Sequence, residues 1–335
     1  MKIIKVSSGI PEYTKLLLRQ SPQMKGIWND CKFIVNSNVK ECDWWFVLHG
    51  SGLVKSEECF CDPSHIVYVS MEPTEIISKV SKKFLDQFSH LIICDRNINH
   101  PNITYMNWLT WWVGIIVNKT KKGHIFESSH IVDYDKLTDM KPMKKINKLS
   151  IVLSNKDFSN GHKKRIKFLD KLMNSDIADS VDVYGHGFNP IPDKWDAIVK
   201  YKYHLVLENS LLDDYWSEKL ADAFLGFSLP IYYGCPNISD YFSQKSLFKI
   251  DIDQIDKSID SIQEILESNL YDERLESIRL SRHKVLNDYN IFNLMASMSS
   301  DKASELKKIK LQTNYFFSDS WLKKIARYFL SMMGI

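Results

Sequence analysis

The sequence predicts an α/β protein built from two domains. Three observations carry this. Short apolar strands alternate with helical patterns; the alternation halts at a charged, proline-containing stretch over 138–148; and it then starts again. A chain of 335 residues is also long enough for two domains of roughly 150 residues each.

The elements follow in chain order. Lys2–Val6, Cys42–Leu48, His65–Ser70 and His90–Cys94 are short, apolar and rich in β-branched or aromatic residues, as buried strands should be. Glu75–Phe88 lies between two of them and repeats apolar residues at helical spacing. The stretch from Thr138 to Lys148 contains Pro142 and many charges and shows no long apolar face, so it reads as the linker. Leu149–Leu153 then opens a second set, followed by a basic amphipathic helix over Gly161–Met173 and a strand over Val181–Tyr184. His204–Leu207 and Pro230–Tyr233 are further strands, with a helix from about Tyr215 to Gly226 between them. From Ile255 to Leu311 the pattern is mostly helical. The expected domains are 1–146 and 147–310, with an amphipathic helix over 311–335 and a ligand cleft between two Rossmann-like domains.

Composition excludes several function classes. Lysine plus arginine minus aspartate plus glutamate is 44 − 41 = +3, which argues against a nucleic-acid-binding polymer partner. With 44% hydrophobic residues the chain can bury a sizeable core, and 12 Gly and 10 Pro are too few for a collagen-like or low-complexity chain. The 9 Trp and 15 Tyr suit sugar platforms and ordinary cores alike. The Trp108, Trp111, Trp112 cluster is open to both readings. No apolar run from the start of the chain resembles a secretory leader, and Trp111–Val117 is too short to span a bilayer. Six cysteines without a paired zinc spacing read as free thiols. The expectation is a cytoplasmic protein.

The stretch 201–220 carries the chemistry. A strand ending at Leu207 offers Glu208, Asn209 and Ser210 at once, where open α/β sheets bind ligands. The helix that follows, with Asp213 or Asp214 available as its N-cap, would bury Trp216, Leu220, Ala223, Phe224 and Phe227. Glu218 and Lys219 fall off that stripe in its first turn, where free N–H groups and the helix dipole favour an anion. A lysine there opposes the dipole, which makes sense beside a phosphate.

Tyr201-Lys202-Tyr203, Leu207-Glu208-Asn209-Ser210, Asp214-Tyr215 and Ser217-Glu218-Lys219 together resemble the signature of glycosyltransferase family 10, the α1,3-fucosyltransferases. The likeness continues through Leu229-Pro230-Ile231, Gly234 and Ser246–Asp251. The resemblance implies a GT-B-type fold and inverting transfer of L-fucose from GDP-fucose to a hydroxyl of a glycan or glycolipid acceptor. It implies that Ser154 and Arg165 hold the donor diphosphate, that Tyr184 lines the nucleotide pocket, and that Glu208, Asn209, Ser210, Tyr215, Glu218 and Lys219 complete the donor site. It places the acceptor base at Glu72, in Ser70-Met71-Glu72-Pro73, with Glu75 as backup. Arg165, Lys219 and a helix N-terminus would offset the diphosphate charge without a metal ion or other cofactor; Asp251-Ile-Asp253 has a metal-loop spelling but lies after the signature. Leu207, Trp216 and Ser217 depart from the commoner spelling, so a different nucleotide-sugar donor stays open, as does a sugar-nucleotide or glycan-binding protein without turnover. In the C-terminal segment Trp321, Leu322, Ile325, Phe329 and Met332 share a helical face opposite Lys323, Lys324 and Arg327. That helix would dock either on the inner face of a membrane or on the protein itself.

Overall fold

The computed structural model describes residues 1–8, 13–48, 53, 55–72, 80–120, 123–155 and 160–317, with the backbone alone for 117–120 and 123–130. The chain divides into two compact units, Met1–Trp108 with Ile291–Ile335, and Leu109–Asn290.

The first unit begins with β1 (Lys2–Ser8), α1 (Tyr13–Leu18), β2 (Ile27–Trp28), β3 (Cys31–Val35), β4 (Trp44–Leu48) and β5 (Glu57–Cys61). It continues with β6 (Ile66–Val69), α2 (Lys82–Leu85), β7 (His90–Ile93) and β8 (Ile103–Tyr105). Seven of these strands form one sheet in the order β2-β3-β1-β4-β6-β7-β8, parallel except where β2 meets β3. Every residue of Trp44-Trp45-Phe46-Val47-Leu48 and of Ile66-Val67-Tyr68-Val69 is buried, as a parallel sheet covered on both faces requires. The helical pattern expected over Glu75–Phe88 is a helix at Lys82–Leu85; Glu75 lies outside the described residues.

The second unit opens with an antiparallel hairpin, β9 (Ile115–Thr120) and β10 (Gly123–Ile131), and then α3 (Tyr134–Asp139). A five-stranded parallel sheet follows, alternating β11 (Ile146–Val152), α4 (Asn160–Met173), β12 (Val181–Tyr184), α5 (Trp195–Ile198), β13 (Tyr201–Leu207), α6 (Glu218–Leu225), β14 (Leu229–Tyr233) and β15 (Phe248–Lys249). The unit closes with α7 (Ile255–Glu267) and α8 (Leu270–Leu286). The order β12-β11-β13-β14-β15 puts the topological switch point between β11 and β13, the place where such sheets take ligands. After residue 290 the chain returns to the first unit with α9 (Ile291–Met298) and β16 (Lys307–Leu311), the latter pairing antiparallel with β5.

Two expectations change here. The units divide at 108/109 and 290/291, not at 146/147 and 310/311. The polar composition of 138–148 misled because Lys145 is half-buried against the unit. Lys145 Nζ donates to the carbonyls of Val199 (2.6 Å), Gly226 (2.7 Å) and Tyr201 (3.0 Å), so the supposed linker ties α5, α6 and β13 together. Conversely, Ile291, Phe292 and Met295 of α9 pack in one cluster with Phe33 and Phe46. The stretch up to Leu311 also ends as a strand, because its Lys-Lys-Ile-Lys-Leu alternation has period two. Residues 318–335, with the expected amphipathic helix, lie outside the described residues.

Candidate functional site

A cavity of about 460 Å³ lies in the second unit at the switch point of its sheet, within the size range of small-molecule sites. Ser154 follows β11, Asn209 follows β13, Arg165 comes from α4, and Glu218 and Lys219 come from the first turn of α6; all five line it. Tyr184, Glu208, Ser210 and Tyr215 do not line the cavity. The structure thus brings together five of the nine expected donor residues and places the other four behind or beside them.

Arg165 is not a surface charge like its neighbours Lys163 and Lys164. It is 4% exposed, and its Nη1 donates to Leu207 O at 3.2 Å. Its Nε and the Oδ1 of Asn209 are buried with no hydrogen-bond partner among the described residues. Buried polar groups in this state are costly unless a ligand satisfies them. Arg165 reaches this position because α4 begins against the end of β13: a Cβ on Gly161 would stand 2.0 Å from Asn209 O, so only glycine permits that approach. Burial lowers the pKa of Arg165, opposed by the nearby Glu208 and Glu218.

Glu208 is the frame of the site rather than its wall. Its carboxylate accepts from Ser217 N and Ser217 Oγ, each at 2.8 Å, and from Lys219 Nζ at 3.2 Å. Ser217, not Asp213 or Asp214, is the N-cap of α6, its Oγ accepting from Lys219 N. Asp214 instead sits at φ 63° and accepts from Tyr241 Oη and Asn237 Nδ2. The helix therefore starts three residues later than Tyr215, and Tyr215 and Trp216 are buried ahead of it outside any helix or strand. The apolar stripe holds: Trp216, Leu220, Ala223, Phe224 and Phe227 are all buried.

Lys219 Nζ also lies 3.4 Å from Glu218 Oε1. Burial pushes the Glu218 carboxyl up, but Lys219 and Lys194 outweigh it and hold it down at about 2. For Lys219, burial is outweighed by Glu208 and Glu218, and its pKa is raised. At neutral pH the site therefore presents an ionised glutamate beside fixed cations. Such an array can bind a diphosphate through Arg165 and Lys219 and accept hydroxyl protons through Glu218.

Among the lining residues, sequence reasoning gave no role to His162, His186 or Lys194, and it left Trp112 open between sugar platform and core. Of the tryptophan cluster, Trp108 and Trp111 are core (4% and 0% exposed), whereas Trp112 forms part of the cavity wall. Tyr184 turns toward Tyr201 of β13, two strands along the sheet, its Oη 2.6 Å from Tyr201 Oη, while the following Gly185 and His186 line the cavity. Among the described residues no cluster of His, Cys, Asp and Glu suited to a metal ion is found. Asp251 and Asp253 are engaged locally: Asp251 accepts from Asp253 N and Gln254 Nε2, and Asp253 pairs with Lys164 at 2.7 Å. In the first unit, Glu72 follows β6 directly after Met71, whose φ is 57°. That left-handed backbone in a bulky residue marks a strained turn, and Ser70 Oγ braces it by donating to Glu72 O at 3.2 Å.

Residues 142–272 match the model of glycosyltransferase family 10 (fucosyltransferase) C-term. The chain is 33% identical over 78 residues to the alpha-(1,3)-fucosyltransferase FucT of Helicobacter pylori, a match covering 23% of this chain and 16% of that protein. It is 39% identical over 64 residues to a 4-galactosyl-N-acetylglucosaminide 3-alpha-L-fucosyltransferase of Homo sapiens, covering 18% of each. The matched stretches thus span less than a fifth of these relatives' own length. Among solved structures, an alpha1,3-fucosyltransferase with GDP aligns with a TM-score of 0.47 at 18% identity, covering 85% of this chain and 90% of that one. TarM aligns at 0.43 and 12% identity, covering 76% and 53%. Arg165, Asn209, Glu218 and Lys219 all lie within the segment that matches the family 10 C-terminal model.

Proposed function

We propose that the protein is a glycosyltransferase of GT-B type that transfers L-fucose from GDP-fucose, with inversion, to a hydroxyl of a glycan or glycolipid acceptor. The observation that carries this reading is the cavity at the switch point, where the buried guanidinium of Arg165 and the ammonium of Lys219 converge within the family segment. In the reaction the acceptor oxygen attacks the anomeric carbon while the bond from that carbon to the diphosphate breaks. Glu72 takes the acceptor proton as general base. The diphosphate gains negative charge as it leaves, and Arg165 and Lys219 stabilise that charge without reorganising. Asn209 and Glu218 orient hydroxyls of the ribose or the sugar, and Ser154 contacts phosphate. Glu208 and Tyr215 act from behind, by holding Lys219 and the entry to α6. The cations supply the countercharge, so turnover needs no metal ion.

No helix among the described residues is long and apolar enough to cross a membrane; a cytoplasmic location, with or without contact at the membrane face, belongs to the same proposal. Calorimetric titration with GDP, UDP and CMP, followed by transfer assays with GDP-fucose, tests the reading. Binding of GDP in preference to the other two is expected, and binding of UDP but not GDP refutes fucosyl transfer. Glu72→Gln should abolish transfer while GDP binding persists; a Gln variant that still transfers removes the base assignment.

A further inference from the structure

Lys194 belongs to no motif in the sequence, yet it enters the site beside Glu218. It stands at the head of α5 and lines the cavity. Its Nζ lies 3.5 Å from Asp222 Oδ2 and 3.8 Å from Glu218 Oε1. Asp222 is 1% exposed, and its other oxygen, Oδ1, accepts from the backbone N–H groups of Trp112 (3.0 Å) and Val113 (3.3 Å). Lys219 repeats the arrangement, 3.4 Å from Glu218 and 3.2 Å from the buried Glu208. Glu218 is therefore paired with two ammonium groups, and each of those is backed by a buried carboxylate.

We propose that Lys194 is a positioning residue of the nucleotide-sugar site: together with Lys219 it fixes the Glu218 carboxylate, ionised, as an acceptor for the hydroxyl groups of the bound ligand. The inference rests on reading the cavity as that site. Lys194 and Lys219 come from separate segments and both approach the same oxygen of Glu218, Oε1, so together they hold that oxygen against two fixed charges. Burial alone would push Glu218 toward the neutral acid, and Lys194 is one of the two cations that reverse this. Only an ionised carboxylate offers acceptor capacity alone, which is what donor hydroxyls need. Counted with Arg165, which faces Glu208 and Glu218, the three cations match the three carboxylates Glu208, Glu218 and Asp222 without the ligand. Asp222 also fastens the Trp112 wall to α6, so the Lys194 contact joins wall and helix at one point.

The test uses the full chain with Lys194→Gln and Lys194→Arg, GDP as the calorimetric probe, and a carboxyl-carbon NMR titration of Glu218 assigned by its loss in Glu218→Gln. Lys194→Gln should weaken GDP binding about tenfold, equivalent to about 1.4 kcal/mol, and should move the Glu218 titration upward by about one unit, with Lys194→Arg recovering most of both. Melting temperature separates these effects from misfolding, because Lys194→Arg and wild type should melt together. An unmoved Glu218 titration in Lys194→Gln overturns the proposal, and so does an arginine variant as defective as the glutamine one. Failure of the wild-type chain to bind GDP overturns the functional reading and the proposal with it. That outcome is distinct from failure of the proposal alone, in which wild type binds GDP and Lys194→Gln binds it equally well.

Discussion

Replacing Glu208 tests whether this residue frames the site or touches the ligand. Its side chain is fully buried (0% exposed) and accepts from Ser217 N, Ser217 Oγ and Lys219 Nζ. Gly234 leaves room for it, since a Cβ there would stand 2.6 Å from Glu208 Cγ. Glu208→Ala removes all three bonds and leaves Lys219 with Glu218 and Ser217 Oγ, a loss of about 3–5 kcal/mol by the usual cost of breaking a buried ion pair. At roughly 2–4 °C per kcal/mol for a domain of this size, the melting point should fall by about 6–20 °C. Glu208→Gln keeps an acceptor for Ser217 but turns an amide donor toward the Lys219 ammonium. It should cost about 1.5–3 kcal/mol, the worth of one charge-assisted bond. Scanning calorimetry measures both, and titration with GDP measures the site. Because Glu208 acts through Lys219, the double variant Glu208→Gln/Lys219→Ala should bind GDP no worse than Lys219→Ala by itself. Two results refute the reasoning: a Glu208→Ala protein that melts within about 2 °C of wild type, or a double variant whose GDP losses simply add.

The other predictions follow from the same geometry. Glu218 titrates near 2 against an ordinary value of 4.5, so its contribution to stability is complete above about pH 4.5 and is lost as pH falls through 2. The stability of wild type over Glu218→Gln, measured by urea unfolding, should shrink across that window; a constant difference removes the assigned pairing. Gly161→Ala should drive α4 away from Asn209 O and displace Arg165, weakening GDP binding at least about tenfold at an overpacking cost of about 1–3 kcal/mol; unchanged calorimetry would show that α4 can shift without moving Arg165. All six cysteines are free and buried, and burial above all raises Cys31 to about 11 and Cys235 to about 12. A disulfide reagent should therefore label the native protein slowly and all six thiols only after unfolding; rapid labelling of the native chain contradicts that burial.

Much of the fold was legible because strand signals are local. Val181–Tyr184 matches its expected span, and His90–Cys94, Leu149–Leu153 and Pro230–Tyr233 lie within a few residues of theirs. Apolar, β-branched runs identify buried parallel strands without reference to anything distant. The elements that were not legible, among them the β9–β10 hairpin and the β5–β16 ribbon, are mixed in polarity and are strands because of what they pair with. Asn209, Glu218 and Lys219 were found from order and spacing around one strand end and one helix start, and Arg165 from the family resemblance. Lys194 and His162 were not, because each reaches the cavity from a separate segment and neither has a local pattern that marks it.

By itself the sequence determined two α/β sheets, the strand that ends in Glu208-Asn209 and the charged first turn that follows. Periodicity and strand-end chemistry are properties of neighbours in the chain, and the family likeness is written in the same contiguous letters. Only the tertiary structure decided which of those polar groups face the cavity and which stand behind it. It turned Glu208 inward to hold Ser217 and Lys219, buried Arg165 against Leu207 O, and sank Lys145 under three carbonyls. It also moved the boundaries between the units. The physical reason is that a buried charge must find its partner wherever the fold supplies one, and such partners come from residues far apart in the chain.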